Sequence, residues 1–459
     1  MSDACQSPTL ESWPDYRAVW RWHFYAGLFC IPFVVILSIT GAIYLFKPQI
    51  DGWIDRSYDH LQVTGMASSA VQQIQTALAA VPGSSLDAYE LPTAADTAIR
   101  VIVRQNGETI RVYIHPETLQ VLKIIPENQQ FTRILFRLHG ELLAGDKGSM
   151  VVELAASWTI IMIVTGLYLW WPRQANGLGG VVYPRLRAGS RIFWRDIHSV
   201  TGVWISLLAL FLLLSGLPWA KSWGNYFKTV RRLTGTAVAR QDWTNGSSDS
   251  LAGGKPNNTN EHSEHSEHGG HGSRPRPVPK DLTIVDRIVA IVRPLNLAPP
   301  VLIAPPQLGS EDWTVKSDAE NRTQRAELVV DGTSGAIISR ENFLDRRLID
   351  RIVGIGISAH QGQLFGWPNQ LLGLLTASGL LLLCVSGVVM WWRRRASGVL
   401  GAPKIRLNPR VSLGLIALVV AFAVYLPLFG ASLILVLLIE KLILRRIPGV
   451  SHWLGLRVG

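Results

Sequence analysis

Four stretches of the chain, residues 22–46, 154–172, 197–220 and 371–392, run for 19 to 25 residues without an Asp, Glu, Lys or Arg. A helix of that length, rising about 1.5 Å per residue, covers the roughly 30 Å hydrocarbon core of a bilayer. Each stretch is therefore expected to span a membrane. Composition agrees, since 48% of the 459 residues are hydrophobic and the mean hydropathy is +0.22, outside the range of ordinary soluble chains.

The spans fall into two matched sets. Residues 139–171 align without a gap on 360–392, which brings His139 onto His360, Gly145 onto Gly366, Gly166 onto Gly387, and Trp170-Trp171 onto Trp391-Trp392. A second gapless match sets His23, Gly27 and Gly41 on His198, Gly202 and Gly216. So long a repeat points to a tandem duplication of domains rather than a solenoid. Each half reads as an apolar helix with a His near its start, a soluble insert, a second His, and an apolar helix closing on Trp-Trp.

The net charge of +11 is no sign of nucleic acid, because the basic residues gather beside membrane ends. Arg17 and Arg21 precede the first span. Arg173, Arg185, Arg187, Arg191 and Arg195 fill the loop between the second and third, while Arg393, Arg394, Arg395, Lys404, Arg406 and Arg410 follow the fourth. The positive-inside rule makes these sides cytoplasmic and puts both inserts outside. Of the three cysteines, Cys5, Cys30 and Cys384, two lie within spans, and no Cys-x-x-Cys-His occurs. A disulfide framework and covalent c-type haem are both excluded. The first apolar run is too long for a signal-peptide core and reads as a retained anchor.

These readings divide the chain into a cytoplasmic lead (1–21), helix 1 (22–46), a first insert (47–148), helix 2 (149–172), a basic loop (173–195), helix 3 (196–220), a second insert (221–370), helix 4 (371–392), a second basic loop (393–410), an apolar segment (411–444) and a tail (445–459). In the first insert a helical pattern (67–81) precedes strand patterns at 99–104, 109–114 and 121–125, and an amphipathic helix (129–143) carries His139. The second insert repeats the plan with a helix (282–292) and strands (312–317, 326–330). Two small α+β domains are expected. Residues 241–280 read as a low-complexity linker, whose His262, His265, His268 and His271 recur every third residue and form a weak accessory metal site or simply a solvated segment. The apolar run 411–444 would reach about 50 Å as one helix, so a kinked helix, a re-entrant pair or a hairpin is required.

With this topology the four repeated histidines form two pairs, His23 with His198 on the inner side and His139 with His360 on the outer. Opposed imidazoles close both axial positions of an iron, as electron carriers require. Gly27 and Gly202 follow their His by one helical turn, and Gly41 and Gly216 by five, so all lie on the stripe a flat macrocycle would approach. Gly166 and Gly387 would leave room for the inner group, Gly41 and Gly216 for the outer. Arg21, Arg195, Arg133 and Arg137 stand where propionates could be paired. The plain alternative makes these glycines helix-packing positions and these histidines interfacial residues bonded to backbone. Repetition in register favours cofactor binding. Gly354-x-Gly356 lacks the setting of a dinucleotide fingerprint, and no flavin, NAD or ATP domain is visible.

The segments WRWHFYAGL, LHGELLAG, DIHSVTGVW and SAHQGQLFG, with the Trp-Trp ends, resemble the PepSY-associated transmembrane family of bacterial inner-membrane proteins over nearly the whole chain. The resemblance implies a mainly α-helical membrane protein of duplicated TM-PepSY-TM units, with four spanning helices, the apolar C-terminal segment and two periplasmic α+β domains. It implies two haem b groups ligated by His23, His139, His198 and His360. It further implies a ferric-siderophore reductase, whose partners would be a ferric siderophore, membrane lipid and a cytoplasmic or quinol electron donor. The periplasmic units, with Tyr113, His115 and the loops around Trp313 and Trp367, are where a siderophore is expected to dock. The rival class is a non-enzymatic metal-uptake accessory or regulatory protein binding metal or a partner through its inserts. A proton-coupled transporter is disfavoured because helices 1 to 4 are expected to lack intramembrane Asp, Glu or Lys.

Overall fold

The computed structural model describes residues 16–172, 177–236, 282–307, 310–403 and 413–456. The linker histidines His262, His265, His268 and His271, and the basic residues Arg173, Lys404, Arg406 and Arg410, lie outside the described residues. In chain order the helices are α1 (Tyr16–Tyr44), α2 (Lys47–Asp55), α3 (Ala70–Ala80), α4 (Phe131–Glu141), α5 (Gly145–Trp170), α6 (Ser190–Gly216), α7 (Lys221–Leu233), α8 (Ile284–Val292), α9 (Leu348–His360), α10 (Trp367–Arg394), α11 (Leu413–Tyr425), α12 (Pro427–Ile439) and α13 (Pro448–Trp453). Among the described residues five helices are long and apolar enough to cross a membrane: α1, α5, α6 with its extension to Trp219, α10, and the stretch Pro427–Leu444. The chain divides into two compact units.

One unit holds α1 up to Gly41, the stretch from Gly140 to Tyr226, and the chain from Leu375 onward. Its core includes buried Cys30, Val34 and Cys384, with Trp158, Met162 and Leu380 packed around them. The apolar tail breaks at Leu426, because Pro427 has no N–H to continue α11 but suits the first turn of α12. Trp158 ties that tail into the bundle by donating from Nε1 to Ser432 Oγ at 3.0 Å and meeting Phe429 edge-on at 5.0 Å. The spans also reach past the uncharged runs and take in two buried acids, contrary to the expectation of none. Glu153 in α5 accepts from the backbone N–H groups of Ser222 and Trp223 at 2.9 and 3.1 Å, capping α7. Asp196 in α6 is bound by Arg185 at 2.8 Å and Arg195 at 2.9 Å.

The other unit is built on an antiparallel sheet. Strands β1 (Ser85–Leu91), β2 (Ile99–Gln105), β3 (Glu108–Ile114), β4 (Val121–Pro126), β5 (Val301–Ala304), β6 (Trp313–Ser317), β7 (Ala326–Val330) and β8 (Ile337–Asn342) lie in the order β4-β3-β2-β1-β5-β6-β7-β8. The two expected α+β domains are thus one: β1 and β5 pair, with Tyr89 opposite Ile303. Left apart, each meander would present an unpaired strand edge, and joining them removes both liabilities at once. A single apolar core follows, in which Ile74 and Ala77 of α3 and Val285 and Ile288 of α8 cover Val101, Val112, Ile303, Val315 and Leu328. α3 opens with a capping box between Ser69 and Gln72, and its first N–H donates to Asp286 of α8 at 2.7 Å.

Candidate functional site

His23 lies on α1 and His198 on α6, and their ring centres are 6.4 Å apart with the planes at 86°. Each ring is held on one edge by the helix that its half supplies. His23 Nδ1 is 3.0 Å from the Met162 carbonyl oxygen and 3.1 Å from Thr165 Oγ1. His198 Nδ1 is 3.2 Å from the Leu383 carbonyl oxygen and 3.0 Å from Ser386 Oγ. The two settings are counterparts, since Met162, Thr165 and Gly166 fall on Leu383, Ser386 and Gly387 in the gapless match. A Cβ at Gly166 would stand 3.1 Å from His23 Cε1, and one at Gly387 3.5 Å from His198 Cε1. The room these glycines leave is therefore taken first by the imidazoles. Cβ atoms at Gly27 and Gly202 would meet only Met162 Sδ at 3.6 Å and Leu383 Cδ2 at 3.7 Å, ordinary helix-packing contacts. Gly166→Val is expected to push His23 off both Nδ1 partners and to cost about 1–3 kcal/mol by overpacking, measured as a lower unfolding temperature; an unchanged temperature would mean the ring has space to retreat.

His139 and His360 form the second pair, with ring centres 6.3 Å apart and planes at 81°. His139 sits in the last turn of α4 and His360 ends α9. The end of α9 is fastened by Asn369, which donates to the Ala359 carbonyl at 2.9 Å. Beside it, Leu45 fills a notch that side chains at Gly362 or Gly373 would block, their Cβ atoms falling 2.9 and 2.8 Å from the leucine. The Leu45 carbonyl accepts from Gln363 and Gln370 at 3.1 and 3.0 Å. Lys47 pairs with Asp51 at 3.0 Å and with Glu320. Burial works against its charge, but the two carboxylates prevail and hold its pKa above the ordinary lysine value. Gly41 and Gly216 lie in the last turns of α1 and α6.

Each pair has the separation that one shared metal ion needs. Imidazole–metal bonds of about 2 Å, with roughly 1 Å from each nitrogen to its ring centre, put opposed ring centres roughly 6 Å apart. Two nitrogens alone do not complete a coordination sphere. Among the described residues no group of three or more His, Cys, Asp or Glu comes together.

The other expected residues sort differently. Arg21 is buried, donates to the Pro403 carbonyl at 2.8 Å and lies over the Tyr25 ring; two residues from His23, it is off that ring's face of the helix. Arg195 is committed to Asp196, and Arg133 stacks over Phe136. Tyr113 and Trp313 cannot form a docking surface, as both are 2% exposed. Tyr113 donates to Asp55 at 2.9 Å and Trp313 belongs to the sheet core. His115 caps its own turn, its Nδ1 accepting from Thr118 N at 3.2 Å. Only Trp367 of that set is well exposed. The Trp-Trp pairs are anchored to the loops that follow them, Trp170 to Val181 O at 3.0 Å and Trp391 to Leu400 O at 2.8 Å. Thr165 and Ser386 escaped the sequence reading, although the gapless match aligns them.

Residues 20–394 match the family described as PepSY-associated TM region. No curated protein matches the chain.

Proposed function

The chain belongs to the PepSY-associated transmembrane family, and from that premise we propose that it is a di-haem b-type electron-transfer protein of the bacterial inner membrane. Its reaction would be the reduction of siderophore-held Fe(III) at the periplasmic face, releasing Fe(II). The observation that carries this reading is the pair of matched imidazole sets, ring centres 6.4 and 6.3 Å apart. Two features support haem: the ring separation of each pair, and the matching hydroxyl partners of His23 and His198. His23 with His198 would hold one group and His139 with His360 the other. Haem supplies one-electron iron chemistry when bound.

The chain's own residues do the rest. Each group would take two histidine ligands, a set that favours electron transfer over oxygen binding. His23 and His198 come early in α1 and α6, while His139 and His360 precede α5 and α10 in the chain, so under the proposed topology two groups would divide the roughly 30 Å of hydrocarbon into shorter steps. The in-register partners support a tandem duplication, and the arginine-rich ends support an inside location for His23 and His198. Both joined meanders would then face the periplasm, with a cytoplasmic or quinol donor on the other side. No acid–base dyad is required, because only an electron moves to the ferric ion. Its product, Fe(II), is softer and less charged than the hard oxygen ligands of a siderophore favour.

The test is to reduce the purified protein chemically under anaerobic conditions and add a ferric siderophore with a ferrous chelator. Reoxidation of low-spin haem with matching ferrous-complex formation is expected. A colourless protein, or haems that stay reduced across a panel of siderophores and ferric chelates, would favour a metal-uptake accessory protein instead.

A further inference from the structure

The hydroxyls of Thr165 and Ser386 lie in apolar spanning helices, where a hydroxyl has to find a partner and the nearest is the carbonyl one turn back. Thr165 Oγ1 is 2.9 Å from Ile161 O and 3.0 Å from Met162 O. Ser386 Oγ is 2.7 Å from Leu382 O and 3.1 Å from Leu383 O. A hydroxyl has one proton and two lone pairs. Carbonyls only accept, so the proton goes to them and the lone pairs face the third neighbour. That neighbour is His23 Nδ1 at 3.1 Å in one half and His198 Nδ1 at 3.0 Å in the other. The same two nitrogens are also within 3.0 and 3.2 Å of the Met162 and Leu383 carbonyls. A bare Nδ1 would turn its lone pair on two acceptors. Nδ1 therefore carries the proton, and the neutral ring keeps its free lone pair on Nε2.

We infer that Thr165 and Ser386 are positioning residues: together with the carbonyl three residues back, each fixes its imidazole in the Nδ1–H tautomer, locks the ring plane, and strengthens Nε2 as a donor. The inference rests on the reading that His23 and His198 hold a haem. An acceptor on the far side of a metal-binding imidazole raises its basicity and sets its orientation. Here two acceptors do so for each ring, and the two rings are held at 86° to one another. Gly166 and Gly387, the next residue in each helix, keep the approach open. The two hydroxyl residues differ by one methyl group, threonine against serine.

Thr165→Val keeps the volume and removes the hydroxyl, and Ser386→Ala removes its counterpart; Thr165→Ser and Ser386→Thr keep it. In the haem-free protein, nitrogen-15 NMR of labelled histidine should report Nδ1–H rings in the wild type and in both conservative variants. The double Val/Ala variant should show mixed tautomers. In the haem-loaded protein, near-perpendicular imidazoles should give a highly anisotropic low-spin EPR signal from the inner site, and the double variant should lose that anisotropy. Its midpoint potential should shift upward, because a weaker donor stabilises the ferric ion less, and haem retention at that site should fall about 10-fold. The signal from the His139–His360 site should not move. A double variant with wild-type tautomer, EPR signal and potential overturns the inference. If the wild type binds no haem the functional reading fails, and the tautomer measurement on the haem-free protein still decides this one.

Discussion

On the proposed di-haem reading, a His23→Ala variant is expected to carry one haem in place of two and to lose electron transfer from the proposed inner-side donor to ferric chelate. His198 keeps its Nδ1 partners Leu383 and Ser386, but a single imidazole would be left to hold the group. Loss of an outer-shell partner alone costs roughly 10–100-fold in metal affinity, and loss of a ligand should cost more. The His139–His360 pair stands on other helices, α4 and α9, so the haem proposed there should remain low-spin and reducible by a chemical reductant. Added imidazole should refill the missing position and recover part of the spectrum and turnover. His198→Ala should behave in the same way, because the two rings have equivalent settings. Two fully occupied haems in His23→Ala, or turnover unchanged from the wild type, would refute the ligand assignment.

What the sequence makes legible follows from how each element is held. The spans are visible because a charge inside hydrocarbon is costly, so four uncharged runs mark them. The histidine pairs are visible because a repeat in register reveals them twice. The three missed strands lack the usual signal for physical reasons. β1 carries Asp87, fully buried and bound by Arg104 at 2.9 Å, which breaks its alternation; β5 has only four residues. β8 is an outer strand of exposed residues with no buried face to set a period. The union of the meanders through β1 and β5 depends on two backbone edges meeting, and side chains do not encode it. The burial of Tyr113 and Trp313 was not legible because an aromatic in a strand is as well suited to a core as to a surface. Thr165 and Ser386 were hidden by their ordinary role, since hydroxyls in spanning helices commonly bond back to their own backbone.

The other large effect expected is on stability, at Asp350 in the first turn of α9. Its carboxylate receives both terminal nitrogens of Arg231 at 2.8 and 3.1 Å, and the side chains are 7% and 2% exposed. The arginine is further fixed by the Thr236 carbonyl, 3.2 Å from Nε and 2.7 Å from Nη2. A buried pair of this kind is not in itself a large source of stability, because desolvation offsets much of the attraction. Removing one member is another matter, since it strands a buried charge at a cost of about 3–5 kcal/mol. Asp350→Ala should therefore raise amide exchange across the start of α9 by roughly two to three orders of magnitude, or up to the limit of global unfolding. The far end of the helix has independent moorings: Ser358 Oγ accepts from Arg322 N at 2.9 Å, and Asn369 holds the Ala359 carbonyl. His360 should keep its place, so the spectrum of the haem proposed for the His139–His360 pair should match the wild type up to the lowered unfolding transition. Replacing both partners by apolar residues, Arg231→Met with Asp350→Leu, removes the stranded charge and should recover most of the loss. If the double variant were as unstable as Asp350→Ala, the defect would lie in lost packing or in the bonds to Thr236, and the account based on an uncompensated guanidinium would fall.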